Sequence, residues 1–113
     1  MKNQLDRIIN AKILKVETVH DYWTVILDIG AVNINNNIEY CTQDNLWHSF
    51  NMNYTKDIEQ KYIKKVIVKD SNYIELRLSS KCKMRISLKD EDYNVSPEAM
   101  SVGLYSGEII VIN

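Results

Sequence analysis

Two histidines, two cysteines and one acidic run are the residues here that catalysis or metal binding would draw on. His20 precedes Asp21. A carboxylate can orient an imidazole as a base, but neighbours along a chain seldom face each other usefully, and the pair reads as a turn between strands. His48 lies in Leu46-Trp47-His48-Ser49-Phe50. A lone histidine among aromatics reads as packing, because metal sites need several converging ligands. Cys41 and Cys82 form no CxxC pair and no zinc spacing, so they are expected to be reduced and partly buried. Asp90-Glu91-Asp92 lacks the spaced oxygens, the glycine and the terminal glutamate of a calcium loop. The only glycines are Gly30, Gly103 and Gly107, too few for a phosphate cradle, and no nucleophile elbow appears. No catalytic residue, metal ligand or cofactor is therefore assigned. The enzymatic alternative is a small enzyme using His20 with a carboxylate.

Charge separates the remaining classes. The formal net charge is −1, so no global basic field points to nucleic acid. Between Asp57 and Lys89, nine Lys or Arg stand against four acids; from Asp90 onward there are five acids and no base. The basic block, Lys61, Lys64, Lys65, Lys69, Lys81, Lys83 and Arg85, lies near Tyr62 and Tyr73. A basic sheet with aromatic platforms is an RNA-binding arrangement, and it stands as an alternative. No RNP-type motif accompanies it, and the interspersed acids weaken phosphate attraction, so protein ranks above nucleic acid as the partner.

These residues must be positioned by one small domain, residues 1–113. The longest apolar runs, such as Ile109 to Ile112, are far short of the roughly 20 residues of a membrane span. Met1 to Arg7 lacks the apolar stretch of a secretory leader, so the expected location is the cytoplasm. An internal repeat organises the chain. Ile13-Leu14-Lys15-Val16 matches Ile63-Lys64-Lys65-Val66, Tyr22 to Leu27 matches Tyr73 to Leu78, and Val32-Asn33-Ile34 matches Met84-Arg85-Ile86. The offset grows from 50 to 51 to 52, as drifting loop lengths between equivalent strands would produce. In the second copy Ile74, Leu76, Leu78, Met84, Ile86 and Leu88 alternate with polar neighbours, which predicts one buried and one wet face. Glu75 and Arg77 fall on the wet face. Each unit, about 11–40 and 61–92, reads as a three-stranded meander. Ser106-Gly107 turns a C-terminal hairpin between Ser101–Tyr105 and Glu108–Ile112. Helix is confined to a short turn around Leu5, Ile8 and Ile9 and another within Asp57 to Tyr62. Residues Tyr40 to Lys56 fit neither period. The predicted architecture is mainly β, an antiparallel sandwich or half-open barrel.

The twin I-x-K-V units, the tyrosine-led strands after them, Tyr93 followed by Pro97-Glu98-Ala99-Met100, and the terminal Gly107-Glu108-Ile109-Ile110-Val111-Ile112 resemble small bacterial β proteins encoded beside polymorphic toxins. Among these are immunity proteins of contact-dependent growth inhibition systems. The resemblance implies binding of a cognate toxin domain, often a nuclease, in the cytoplasm, and no catalytic residues. A nuclease cleft is basic, so carboxylates would steer association. Tyr and Trp would supply anchors. The expected partner-binding residues are Trp47, Phe50, Tyr54, Asp90, Glu91, Asp92, Tyr93 and Glu98, all in segments outside the alternating strands.

Overall fold

The computed structural model describes residues 4–19, 22–42, 45–70, 72–89 and 99–112. A 3-10 turn, Gln4–Ile8, buries Leu5 and Ile8. The first meander follows: β1 (Ile13–Val19), β2 (Tyr22–Leu27) and β3 (Gly30–Ile34). A short hairpin, β4 (Ile38–Cys41) and β5 (Trp47–Ser49), leads to a one-turn helix α1 (Thr55–Ile58). The second meander is β6 (Ile63–Lys69), β7 (Tyr73–Leu78) and β8 (Lys83–Ser87), and the terminal hairpin is β9 (Met100–Leu104) and β10 (Ile109–Ile112).

The strands form two five-stranded antiparallel sheets, β1-β2-β3-β9-β10 and β5-β4-β8-β7-β6. These pack as a sandwich, and the barrel option is not taken up. The two meanders are the repeat units. Each carries a register shift at the same place, between Ile13 and Lys15 in β1 and between Ile63 and Lys65 in β6. Each hairpin then crosses to the opposite sheet: β4 pairs with β8, and β9 pairs with β3. The halves have exchanged hairpins.

A pseudo-twofold junction joins them at the isolated Lys12–Tyr62 bridge. The Asn10 N–H donates to the Ile63 carbonyl at 2.6 Å, and the equivalent Gln60 N–H donates to the Ile13 carbonyl at 2.6 Å. The Lys12 N–H donates to Asp28 Oδ1 at 3.1 Å, and the Tyr62 N–H to Ser79 Oγ at 3.0 Å. Asn10 and Gln60 share positive φ, 75° and 72°. The two units therefore agree in backbone detail as well as in side-chain spacing.

Between the sheets lies one core. Val25, Leu27, Val32 and Ile34 face Ile74, Leu76, Leu78, Met84 and Ile86, all buried as the alternation predicts. One reading is extended and one corrected. Tyr40 to Lys56, which fits neither period, takes part in regular structure: it holds the end of β4, all of β5 and the start of α1. Glu75 is not on a wet surface: it sits on the outer face of its sheet yet is only 4% exposed, because neighbouring side chains cover it.

Candidate functional site

The outer face of the second sheet gathers the residues with most to offer a ligand. Strand register sets them in rows. Glu39, Arg85, Glu75 and Ile67 lie side by side across β4, β8, β7 and β6. Cys41, Lys83, Arg77 and Lys65 form the next row, with Trp47 opposite Cys41. Tyr73 pairs with Ser87 on one side and Lys69 on the other.

Glu75 is the hub. Its Oε1 accepts from Arg85 Nε at 2.9 Å and its Oε2 from Arg77 Nε at 2.8 Å. Burial alone would raise this carboxyl, but the two charged hydrogen bonds outweigh it and hold Glu75 below the ordinary glutamate range. Arg85 is held on both sides as well. Its guanidinium carbon is 4.1 Å from the Trp47 ring centre and 4.5 Å from that of Tyr73. Both are cation–π contacts on a half-desolvated arginine, where such contacts contribute most. Arg85 is thus locked between two rings and a carboxylate.

Beside this cluster is a cavity of about 480 Å³, lined by Trp23, Asn36, Phe50, Tyr73, Arg85 and Lys89 among others. Asn36 is buried and donates from Nδ2 to the Ser87 carbonyl at 2.6 Å, while its Oδ1 has no partner among the described residues.

The expected partner-binding residues divide. Trp47 is half-buried on the outer face, against Arg85. Phe50 is withdrawn into the core: it is 8% exposed and meets Trp23 and Tyr40 edge-on at 4.8 and 6.0 Å. Tyr54 packs on Tyr40 at 5.2 Å and on His48 at 5.6 Å, so it seals the core edge, and His48 takes the packing role expected of it. Burial, with the Cys82 thiol next in effect, pushes the Tyr40 phenol above its usual range, as befits a core residue. Asp90, Glu91, Asp92, Tyr93 and Glu98 lie outside the described residues, as do His20 and Asp21. Cys41 and Cys82 are free and buried. No group of three or more His, Cys, Asp or Glu among the described residues could hold a metal ion, and no described helix is long and apolar enough to cross a membrane.

Glu75 and Arg77 were not expected as site residues, and Arg85 and Tyr73 were expected only within the nucleic-acid alternative. A signal for them existed. Glu75 and Arg85 are equidistant from Ser80 at the tip of the β7–β8 hairpin, so a symmetric turn places them opposite each other. The basic block does not act as one unit. Lys65, Lys69, Lys83 and Arg85 share this face, whereas Lys64 lies over Tyr62 at the pseudo-twofold junction. Comparison with protein-family models, curated proteins and solved structures finds no match.

Proposed function

We propose that this chain is a non-enzymatic protein-binding module that neutralises a bacterial toxin domain in the cytoplasm, as the immunity proteins it resembles do. Its partner is held on the outer face of the second sheet. The observation that carries this reading is the Trp47–Arg85–Tyr73 cluster. Trp, Arg and Tyr are the residue types enriched at interface hot spots. Here they are pre-ordered by Glu75, so little side-chain entropy remains to be lost on binding. The surrounding Lys65, Lys69, Arg77 and Lys83 outnumber Glu39 and Glu75, so the complementary patch on the partner is acidic. Trp47 joins this basic surface, and the 90–98 acids expected beside it lie outside the described residues.

Nucleic-acid binding is the second reading, favoured by those cations beside two aromatics. It is weaker because Arg85 already occupies one face of each ring, and base stacking requires free π-faces.

The test is to look for a toxin domain encoded in an adjoining reading frame and to co-express it with this chain, followed by titration of the purified pair. Growth should be rescued. Arg85→Ala should raise Kd about 30-fold or more, the equivalent of a hot spot of about 2 kcal/mol. Failure of rescue and binding, together with an RNA mobility shift that falls steeply with salt, would replace this reading with the second.

A further inference from the structure

The two sheets are pseudo-equivalent, yet their outer faces and edges are not. On the second sheet the outer rows carry five cations and two acids. On the first, the matching rows are Lys15, Ile26, Ala31, Gly103 and Ile109, and Glu17, Thr24, Asn33, Ser101 and Val111. The one cation and one acid both sit on β1, and no charge appears in these rows from β2 to β10. The face ends at β10, whose Ile109 and Val111 are 74% and 44% exposed.

Edge strands present unpaired backbone groups and are usually guarded against pairing. Three edges here are guarded. β1 has its bulge and the Lys15–Glu17 ion pair at 2.8 Å. β6 has the matching bulge and Lys64, Lys65 and Lys69. β5, the pseudo-equivalent of β10, is only three residues long, and its Trp47 lies over Arg85. β10 is less guarded: its four residues are Ile-Ile-Val-Ile with no charge, its register with β9 is unbroken, and the Arg7–Glu108 ion pair lies just before the strand rather than on it.

We infer that β10 is a dimerisation edge, and that its occupant is β10 of a second copy of this chain. The backbone sets the geometry. The Leu104 N–H donates to the Glu108 carbonyl at 2.9 Å, so in the antiparallel alternation Ile110 bonds to β9 while Ile109 and Val111 point their N–H and C=O groups outward. A twofold axis through Ile110 then sets Ile109 opposite Val111 of the second copy, and Val111 opposite its Ile109. Each pair exchanges both N–H···O bonds, and the exposed apolar side chains cover one another on the same face. The strand is its own complement, which is what a twofold interface requires. A net charge of −1 per chain opposes the approach of two copies only weakly. The joined product is a continuous ten-stranded sheet, and it leaves the second sheet's outer face free, so the inference stands apart from the proposed function.

Sedimentation of the full chain from micromolar to millimolar concentration should show a monomer–dimer equilibrium. Ile109→Lys should weaken dimerisation about tenfold per lysine, hence about a hundredfold for the symmetric pair. Its circular dichroism should match the parent's, because Ile109 is mostly exposed. Register is read separately: Ile109→Cys mixed with Val111→Cys should cross-link on mild oxidation, since directly paired strand residues lie within disulfide reach, whereas Ile109→Cys alone should not. A monomer at every concentration, or dimerisation that Ile109→Lys leaves unchanged, would overturn the inference. So would cross-linking of Ile109→Cys alone as efficient as that of the mixture.

Discussion

Replacing Glu75 with Gln tests whether the outer-face cluster is a structural unit or a set of solvated charges. The side chain is 5% exposed and accepts two arginine hydrogen bonds, at 2.8 and 2.9 Å. Hydrogen bonds to charged groups contribute about 1.5–3 kcal/mol each. Gln keeps one acceptor oxygen and can retain one of the two, but its amide then turns N–H groups toward the other arginine. Arg77 and Arg85 are 46% and 33% exposed, so water relieves part of that conflict. The net cost should be about 2–3 kcal/mol, or roughly 8–15 °C in Tm for a domain of this size. Urea and thermal unfolding of the parent, Glu75→Gln, Arg85→Met and the double variant measure the cost and the coupling. The pH dependence supplies a second readout. The folded carboxyl titrates below its ordinary value of 4.5, so its stabilisation is fully present above about pH 4.5 and is lost as pH falls through the lower, folded-state value. The gap between parent and Glu75→Gln should therefore be constant near neutrality and shrink in acid. A cost below about 0.5 kcal/mol, the level of an ordinary surface change, would refute the reasoning, and so would a gap that stays constant into strong acid.

Gly30→Ala should cost about 2–4 kcal/mol or prevent folding, because a Cβ there would overlap the Gly103 carbonyl and lie 2.8 Å from the Leu104 Cα at the β3–β9 seam; denaturant midpoints measure it. Phe50→Ala should destabilise by about 3–5 kcal/mol as a core truncation, and its loss of toxin protection should follow its loss of folded protein, as soluble yield and calorimetry would show. Gln60→Gly should raise stability by about 0.5–1 kcal/mol by relieving a side chain held at φ 72°, read as an increase in Tm.

The parts of the fold legible in the sequence are those set by neighbours along the chain. Ile74, Leu76 and Leu78 announce β7 by alternation, and Ser106-Gly107 announces the last turn. The repeat was readable because its backbone bulges and turns keep side-chain spacing nearly constant. β4 was not, since Tyr40 and Cys41 are both buried and break the alternation. Trp47-His48-Ser49 is too short to establish a period. The hairpin exchange left no local signature at all: whether Ile38 pairs with Ile34's sheet or with Ile86 depends on residues far along the chain. The site divides in the same way. Trp47 and Phe50, three residues apart, have the same local character, yet Trp47 lies on the outer face in β5 and Phe50 in the core. Arg85 reads as one cation among many until its pairing with Glu75 and its place between two rings are known.

The exchanged hairpins also govern how the chain can be made. Gly30 to Ile34 in β3 must wait for Met100 to Leu104 before its second side is paired. That closure spans roughly seventy residues, and contacts so distant in sequence slow folding. During synthesis the first meander is exposed with β3 as an open edge while β6 to β8 are still being added. β4, already translated and paired with β5, keeps its other side open until β8 appears. The second sheet can close once β8 is made, but the first cannot until β9 and β10 have left the ribosome. A nascent copy with an unpaired β3 could capture β9 from a neighbour, so the hairpin exchange that stabilises the finished chain is also its most direct route to intermolecular misassembly.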